Sequence, residues 1–238
     1  MRLLVIQHEA GCPPDALLPV AREAGFAVDV VSVADGDAVP RDATGAEAIA
    51  VLGGAAGLAD LDANPHLGAA LDLIRDAHRR SVPTLGICLG AQLAASALGG
   101  RVHAGADGPE IGAVALRRTA AGADDPVTAA VPDGARLFQF HRDVLVEPPG
   151  AVRLLTAPRY PAQGFRHGAV WALQCHPEVT GATVAGWCTL PGVPEQLAAL
   201  GLTASHVVAE AEGAGAEGRR LLAAWCRMAA EQAGRRAA

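Results

Sequence analysis

Three runs that are apolar or nearly so constrain this fold most: Leu3-Leu4-Val5-Ile6, Ala48-Ile49-Ala50-Val51-Leu52 and residues 82–87, with Thr84 the one polar member. A strand that is apolar at every position must be buried on both faces, since a strand with one wet face alternates apolar and polar residues. The stretches between these runs are rich in Ala and Leu at helical spacing. They predict helices at 14–24, ended by Gly25, at 66–80, with Leu67, Leu71 and Ile74 on one face, and at 89–98, stopped by Gly99-Gly100. A further strand is predicted at 26–33. Strand and helix in repeated alternation imply a parallel sheet covered on both sides, a three-layer α/β/α arrangement.

From about 101 to 175 the texture changes to strands without long intervening helices. The pattern predicts strands at 111–116, 136–140, 152–156, 162–165 and 170–174, which form a small antiparallel extension. Residues 104–108 and 120–125 read as surface loops. From about 180 the chain reads as a helical tail, with helices at 193–200, 203–212 and 216–235. In the last of these Leu221, Leu222, Trp225 and Met228 or Ala229 recur at helical spacing. No internal repeat is evident, and 238 residues suit one domain spanning 1–238.

Composition removes several function classes. The net charge of −6 is mild and mixed, with no basic footprint for nucleic acid or an anionic membrane. All nineteen basic residues are arginine, so the chain lacks the lysine of a P-loop, a Schiff base or a lysine general base. The opening MRLLVIQHEAGC is too short in its apolar part for a signal segment, and no stretch approaches a membrane span. A cytoplasmic protein is expected. Cys12, Cys88, Cys175, Cys188 and Cys226 are odd in number, scattered and without a CxxC pair, which predicts reduced thiols rather than disulfides or a zinc site.

One cysteine stands apart. Gly86-Ile87-Cys88-Leu89-Gly90 has the spacing of a strand-to-helix elbow, in which the glycines permit a tight turn that holds a nucleophile clear of the backbone. Cys88 would sit at a helix amino terminus, where unpaired N–H groups and the dipole favour negative charge. Ligands of open parallel sheets collect beyond the carboxyl ends of the strands. There the run 48–52 finishes at Gly53-Gly54, whose bare backbone can approach a substrate, and the run 170–174 leads into Cys175-His176-Pro177-Glu178. Pro177 cannot donate to a central ladder, so the strand ends about there and His176 is expected at a sheet edge. Glu178, two residues on, could orient the imidazole toward the thiol. His8, after the first strand, reads as a satisfied rim histidine.

Together, GICLGAQ, the paired glycines of VLGG and HPE after an apolar strand resemble the class I, triad-type glutamine amidotransferases, nearest to stand-alone members similar to the amidotransferase domain of GMP synthase. The resemblance covers most of the chain. GGAAGLADLDANP is similar to that family's oxyanion loop, and GPEIG, FQFHRDVLVEPPGA and GFRHG resemble its middle segments. Two departures are Ala55, where the family often has proline, and Cys175, where it often has an aromatic residue.

The resemblance implies a flavodoxin-like α/β fold with Cys88 as nucleophile, His176 as general acid and base, and Glu178 as its orienting partner. It makes the backbone amides of Gly54 and Leu89 the oxyanion hole, and Gln92, Gly53, His141, Arg142 and Asp143 the substrate contacts. The implied reaction is hydrolysis of glutamine to glutamate and ammonia through a Cys88 thioester, with no metal or organic cofactor. Ammonia would pass to a separate synthetase, because the sequence shows no phosphate loop with which to activate an acceptor. A stand-alone hydrolase of another γ-glutamyl amide and a non-catalytic regulatory module with the same fold remain open alternatives.

Overall fold

The computed structural model describes residues 1–237. Its first half is the expected alternation: β1 (Arg2–Gln7), α1 (Leu17–Glu23), β2 (Ala27–Ser32), β3 (Ala48–Val51), α2 (Pro65–Arg79), β4 (Thr84–Ile87) and α3 (Leu89–Ala97). Then follow β5 (Arg101–Ala104), β6 (Glu110–Arg118), α4 (Ala120–Asp124), β7 (Ala135–His141), β8 (Asp143–Val146), β9 (Val152–Thr156), β10 (Gly164–His167) and β11 (Val170–Leu173). The chain closes with α5 (Gly181–Trp187), α6 (Val193–Ala199) and α7 (Ala204–Ala237).

Nine strands form one sheet in the order β2-β1-β3-β4-β11-β10-β9-β6-β7. The first five are mutually parallel, and from β10 onward each strand pairs antiparallel with its neighbour. The apolar runs are buried on both faces because successive side chains point opposite ways. Leu3, Val5, Ala48, Ala50, Leu85, Ile87, Trp171 and Leu173 pack with α1 and the second half of α7. Leu4, Ile6, Ile49, Val51, Val170 and Ala172 pack with α2 and α3 on the other side. A third cluster joins Phe138 and Ala113 to α5, α6 and the first part of α7. No helix among the described residues is long and apolar enough to cross a membrane.

Four sequence expectations change. β11 lies inside the sheet between β4 and β10, so His176 follows the carboxyl end of an interior strand rather than lying at a lateral edge. Residues 120–124 form a short helix, not a loop: Thr119 Oγ1 caps it by accepting from the Gly122 N–H at 3.0 Å. β5 and β8 pair as a separate two-stranded sheet whose short, largely exposed first strand carries no period-two signal. The helices expected at 203–212 and 216–235 are one, α7. Glycine costs a helix interior roughly 1 kcal/mol relative to alanine, yet Gly218 is where α7 meets the HPE segment. A Cβ there would lie 2.4 Å from the Pro177 carbonyl oxygen.

Candidate active site

Cys88 joins β4 to α3 with φ 49° and ψ −105°, a backbone region that L-residues rarely occupy. The left-handed residue of the elbow is thus the cysteine itself. Its flanking glycines serve close approach rather than conformational freedom. A Cβ at Gly86 would lie 2.4 Å from the Gly90 oxygen, and one at Gly90 would lie 2.0 Å from the Val51 oxygen. With its backbone fixed from both sides, the thiol is buried beside the Gln174 side-chain amide at 3.8 Å and the Phe140 carbonyl at 4.0 Å, and it pairs with the His176 side chain.

His176 comes to the same point from β11. Its N–H donates to the Phe138 carbonyl at 2.8 Å, which fixes the histidine after the ladder ends. Gly53, at the end of β3, lies beneath both side chains: a Cβ there would be 2.9 Å from His176 Cε1 and 3.7 Å from Cys88 Cβ. Gly53 is expected from the sequence to meet substrate, but it is absent from the residues lining the cavity, and the imidazole occupies the space its side chain would need. His176 Nδ1 is 2.8 Å from Glu178 Oε1, and both side chains are only 3% exposed.

Burial disfavours the imidazolium. It is outweighed by the charge of Glu178 and by the charge and hydrogen bond of Cys88, which together raise the His176 pKa from its usual 6.5 to about 10. Since the folded value lies above the unfolded one, this proton stabilises the fold fully below about pH 6.5, and the stabilisation is lost as pH rises through about 10. Replacing Glu178 with glutamine removes the largest favourable contribution. The gap in urea midpoint between wild type and Glu178→Gln should therefore be widest near pH 6 and close toward pH 10. Turnover at pH 7 should fall roughly 10²–10⁴-fold, the usual range for a general acid–base contribution; a gap that widens with pH would contradict the assignment of the proton.

The two expected oxyanion donors come from different elements, Gly54 in the loop after β3 and Leu89 at the start of α3. Among the described residues, no hydrogen-bond acceptor engages the main-chain N–H of Gly54 or of Leu89, the first residue of α3. The two positions touch, since a Cβ at Gly54 would lie 3.0 Å from Leu89 Cδ2. Glu9, which sequence reasoning missed, holds this loop: its Oε1 accepts from the N–H groups of Ala55 at 2.7 Å and Ala56 at 3.3 Å. Glu9→Ala should lower kcat about tenfold or more with little change in KM, and Glu9→Gln, which keeps an acceptor, should recover most of it; equal losses in both variants would assign Glu9 a different role.

A cavity of about 1000 Å³ opens over Cys88 and His176. Gln92, His141, Arg142 and Asp143 all line it. The Gln92 side-chain amide donates to the Asp143 carbonyl at 3.1 Å, so helix α3 fixes the start of β8. His141 has both ring nitrogens engaged, Nδ1 with the Asp143 carbonyl at 3.1 Å and Nε2 with Glu110 Oε2 at 3.2 Å. Glu110 also accepts from Gln163, which in turn accepts from Gln139, all of them buried. His141 therefore anchors this wall rather than offering a free nitrogen.

Trp187 of α5 reads in the sequence only as part of a helical tail, yet its ring stands edge-on to His176 with centroids 4.9 Å apart. Nothing in a lone tryptophan among small residues announces such a contact. His8 is buried, and neither ring nitrogen has a protein partner, contrary to the expectation of a satisfied histidine. Burial, and then His66, hold its pKa down at about 4, so it is neutral.

Residues 15–185 match the family profile described as glutamine amidotransferase class-I. Among curated proteins, a subunit of the glutamine-hydrolysing GMP synthase of Sulfolobus acidocaldarius is 31% identical over 116 residues, 48% of this chain and 58% of that one. The chain spans about half the length of the curated GMP synthase subunits it matches. The glutamine amidotransferase-like protein YfeJ of Salmonella typhimurium is 28% identical over 78% of this chain and 79% of its own. A crystal structure of a glutamine amidotransferase from Thermotoga maritima superposes with a TM-score of 0.85 at 27% identity, covering 97% of this chain and 98% of the other. With the profile spanning the elbow, the glycine pair and the HPE segment, the chain belongs to the class I glutamine amidotransferase family.

Proposed function

We propose that this protein hydrolyses the side-chain amide of glutamine to glutamate and ammonia, with Cys88 as nucleophile. The observation that carries the reading is the convergence on Gly53 of a thiol at a strained elbow and an imidazole paired with a buried carboxylate. Cys88 Sγ, its proton already on His176, adds to the amide carbon, and the oxygen takes up negative charge facing the N–H groups of Gly54 and Leu89. His176, protonated at neutral pH, gives its proton to the departing nitrogen, the C–N bond breaks and ammonia leaves a thioester. The now neutral imidazole takes a proton from water, whose oxygen attacks the thioester and releases glutamate. Glu178 holds the ring throughout.

The ammonia passes to a separate synthetase. Support comes from the curated relatives, which are named as single subunits of glutamine-hydrolysing GMP synthases. Purified protein should release glutamate from glutamine slowly, and faster with its synthetase. Absence of turnover in both conditions would defeat the proposal.

A further inference from the structure

We propose that the same site also hydrolyses γ-glutamyl amides whose nitrogen carries an apolar group, such as an aryl or alkyl amine, and accepts them at least as well as glutamine. This rests on the Cys88 hydrolysis proposed above and adds a leaving-group subsite to it. The group that protonates a leaving nitrogen must lie beside it, so the space around His176 is where the departing amine emerges. That space is apolar and aromatic. The Trp187 ring lies 4.9 Å from the His176 ring and 5.3 Å from that of Phe140. Its indole N–H donates to the Gly11 carbonyl at 2.6 Å, which spends its polar atom and fixes the ring as a wall. Ile111 and Leu190 continue the lining, Leu190 at the rim with 46% of its surface exposed.

Thr183 of α5 and Gln196 of α6 also line the cavity, but its charged residues come from other elements. Gln92, one turn beyond Cys88, is tied to Asp143, and the Asp143 carboxylate faces Gly57 in the loop after β3. These, with Arg142, suit the charged amino-acid end of a γ-glutamyl substrate. Ammonia, by contrast, gains nothing from an apolar wall, which offers it no hydrogen-bond partner. A cavity of about 1000 Å³ is at the upper end for drug-sized ligands and far exceeds what one glutamine fills. An apolar substituent on the amide nitrogen occupies the remaining space and gains from leaving water. The chemistry balances as before: the C–S bond forms, the C–N bond breaks, the nitrogen takes the electron pair and the His176 proton, and the free amine departs before water releases glutamate.

The test compares kcat/KM for N-benzyl-γ-glutamide and glutamine with the same enzyme, reading glutamate and benzylamine by mass spectrometry. Turnover of the benzylamide at or above that of glutamine is expected. Leu190→Asp, at an exposed position, should lower the benzylamide-to-glutamine ratio about tenfold. A benzylamide that is inert or slower than glutamine, or a ratio unmoved by Leu190→Asp, overturns the subsite. Labelling of Cys88 by a diazo-ketone analogue of glutamine separates the two layers. Labelling without benzylamide turnover refutes the subsite alone, whereas no labelling and no turnover of either amide refutes the hydrolytic reading and the subsite with it.

Discussion

The Cys88→Ala variant is expected to fold and to release no measurable glutamate from glutamine. Loss of a nucleophile typically lowers kcat about a millionfold, or about 8 kcal/mol of barrier, because the remaining groups can only position water. Stability should respond very differently. Alanine keeps the left-handed backbone at 88 and removes a sulfur with two long contacts, at 3.8 and 4.0 Å, together with its pairing to His176. The strain resides in the backbone, and residues in such regions typically cost about 1–3 kcal/mol. Cys88→Gly should therefore be more stable than Cys88→Ala, by about 1 kcal/mol once glycine's greater unfolded-state freedom is subtracted. Glutamate release and urea unfolding of the three proteins check both halves. An alanine variant that still turns over glutamine would displace Cys88 from its role.

The parallel half of the fold is legible because a strand buried on both faces cannot hide its composition: β1, β3 and β4 fall within a residue or two of their apolar runs. The candidate triad is legible for a related reason, since short motifs stand where such strands stop. What the sequence hides depends on contacts distant along the chain. Glu9 reaches Ala55 across 46 residues, and Trp187 covers His176 from a helix that reads as an ordinary tail. α7 runs through Gly213, Gly215 and Gly218 without a break, because packing against β6, β7 and the HPE segment outweighs local propensity. The glycines of the elbow are visible in the sequence, but their role is not. Their spacing signals a turn, and only the folded backbone shows that the turn is made at Cys88 while Gly86 and Gly90 admit neighbouring main chain.

That distinction leads to a large stability effect at a position with no side chain. In Gly90→Ala the new methyl would lie 2.0 Å from the Val51 oxygen and 2.7 Å from its carbonyl carbon. Both atoms are backbone of β3, so no rotamer change can relieve the clash, and α3 must shift away from the sheet. Overpacking of this kind costs about 3 kcal/mol or more, which for a chain of this size lowers Tm by roughly 6–12 °C. The displacement also carries Leu89 and its N–H away from Gly54, and a shift near 1 Å in a catalytic group costs about a hundredfold in rate. Gly68, inside α2, is the control: nothing lies within 4 Å of its would-be Cβ, so Gly68→Ala should stabilise the protein by about 0.5–1 kcal/mol and leave turnover unchanged. Thermal melts and glutamate release on the pair test the claim, because two identical chemical changes in two helices should then move stability in opposite directions. If both alanines raise Tm, the close approach of α3 to β3 does not hold the elbow in place.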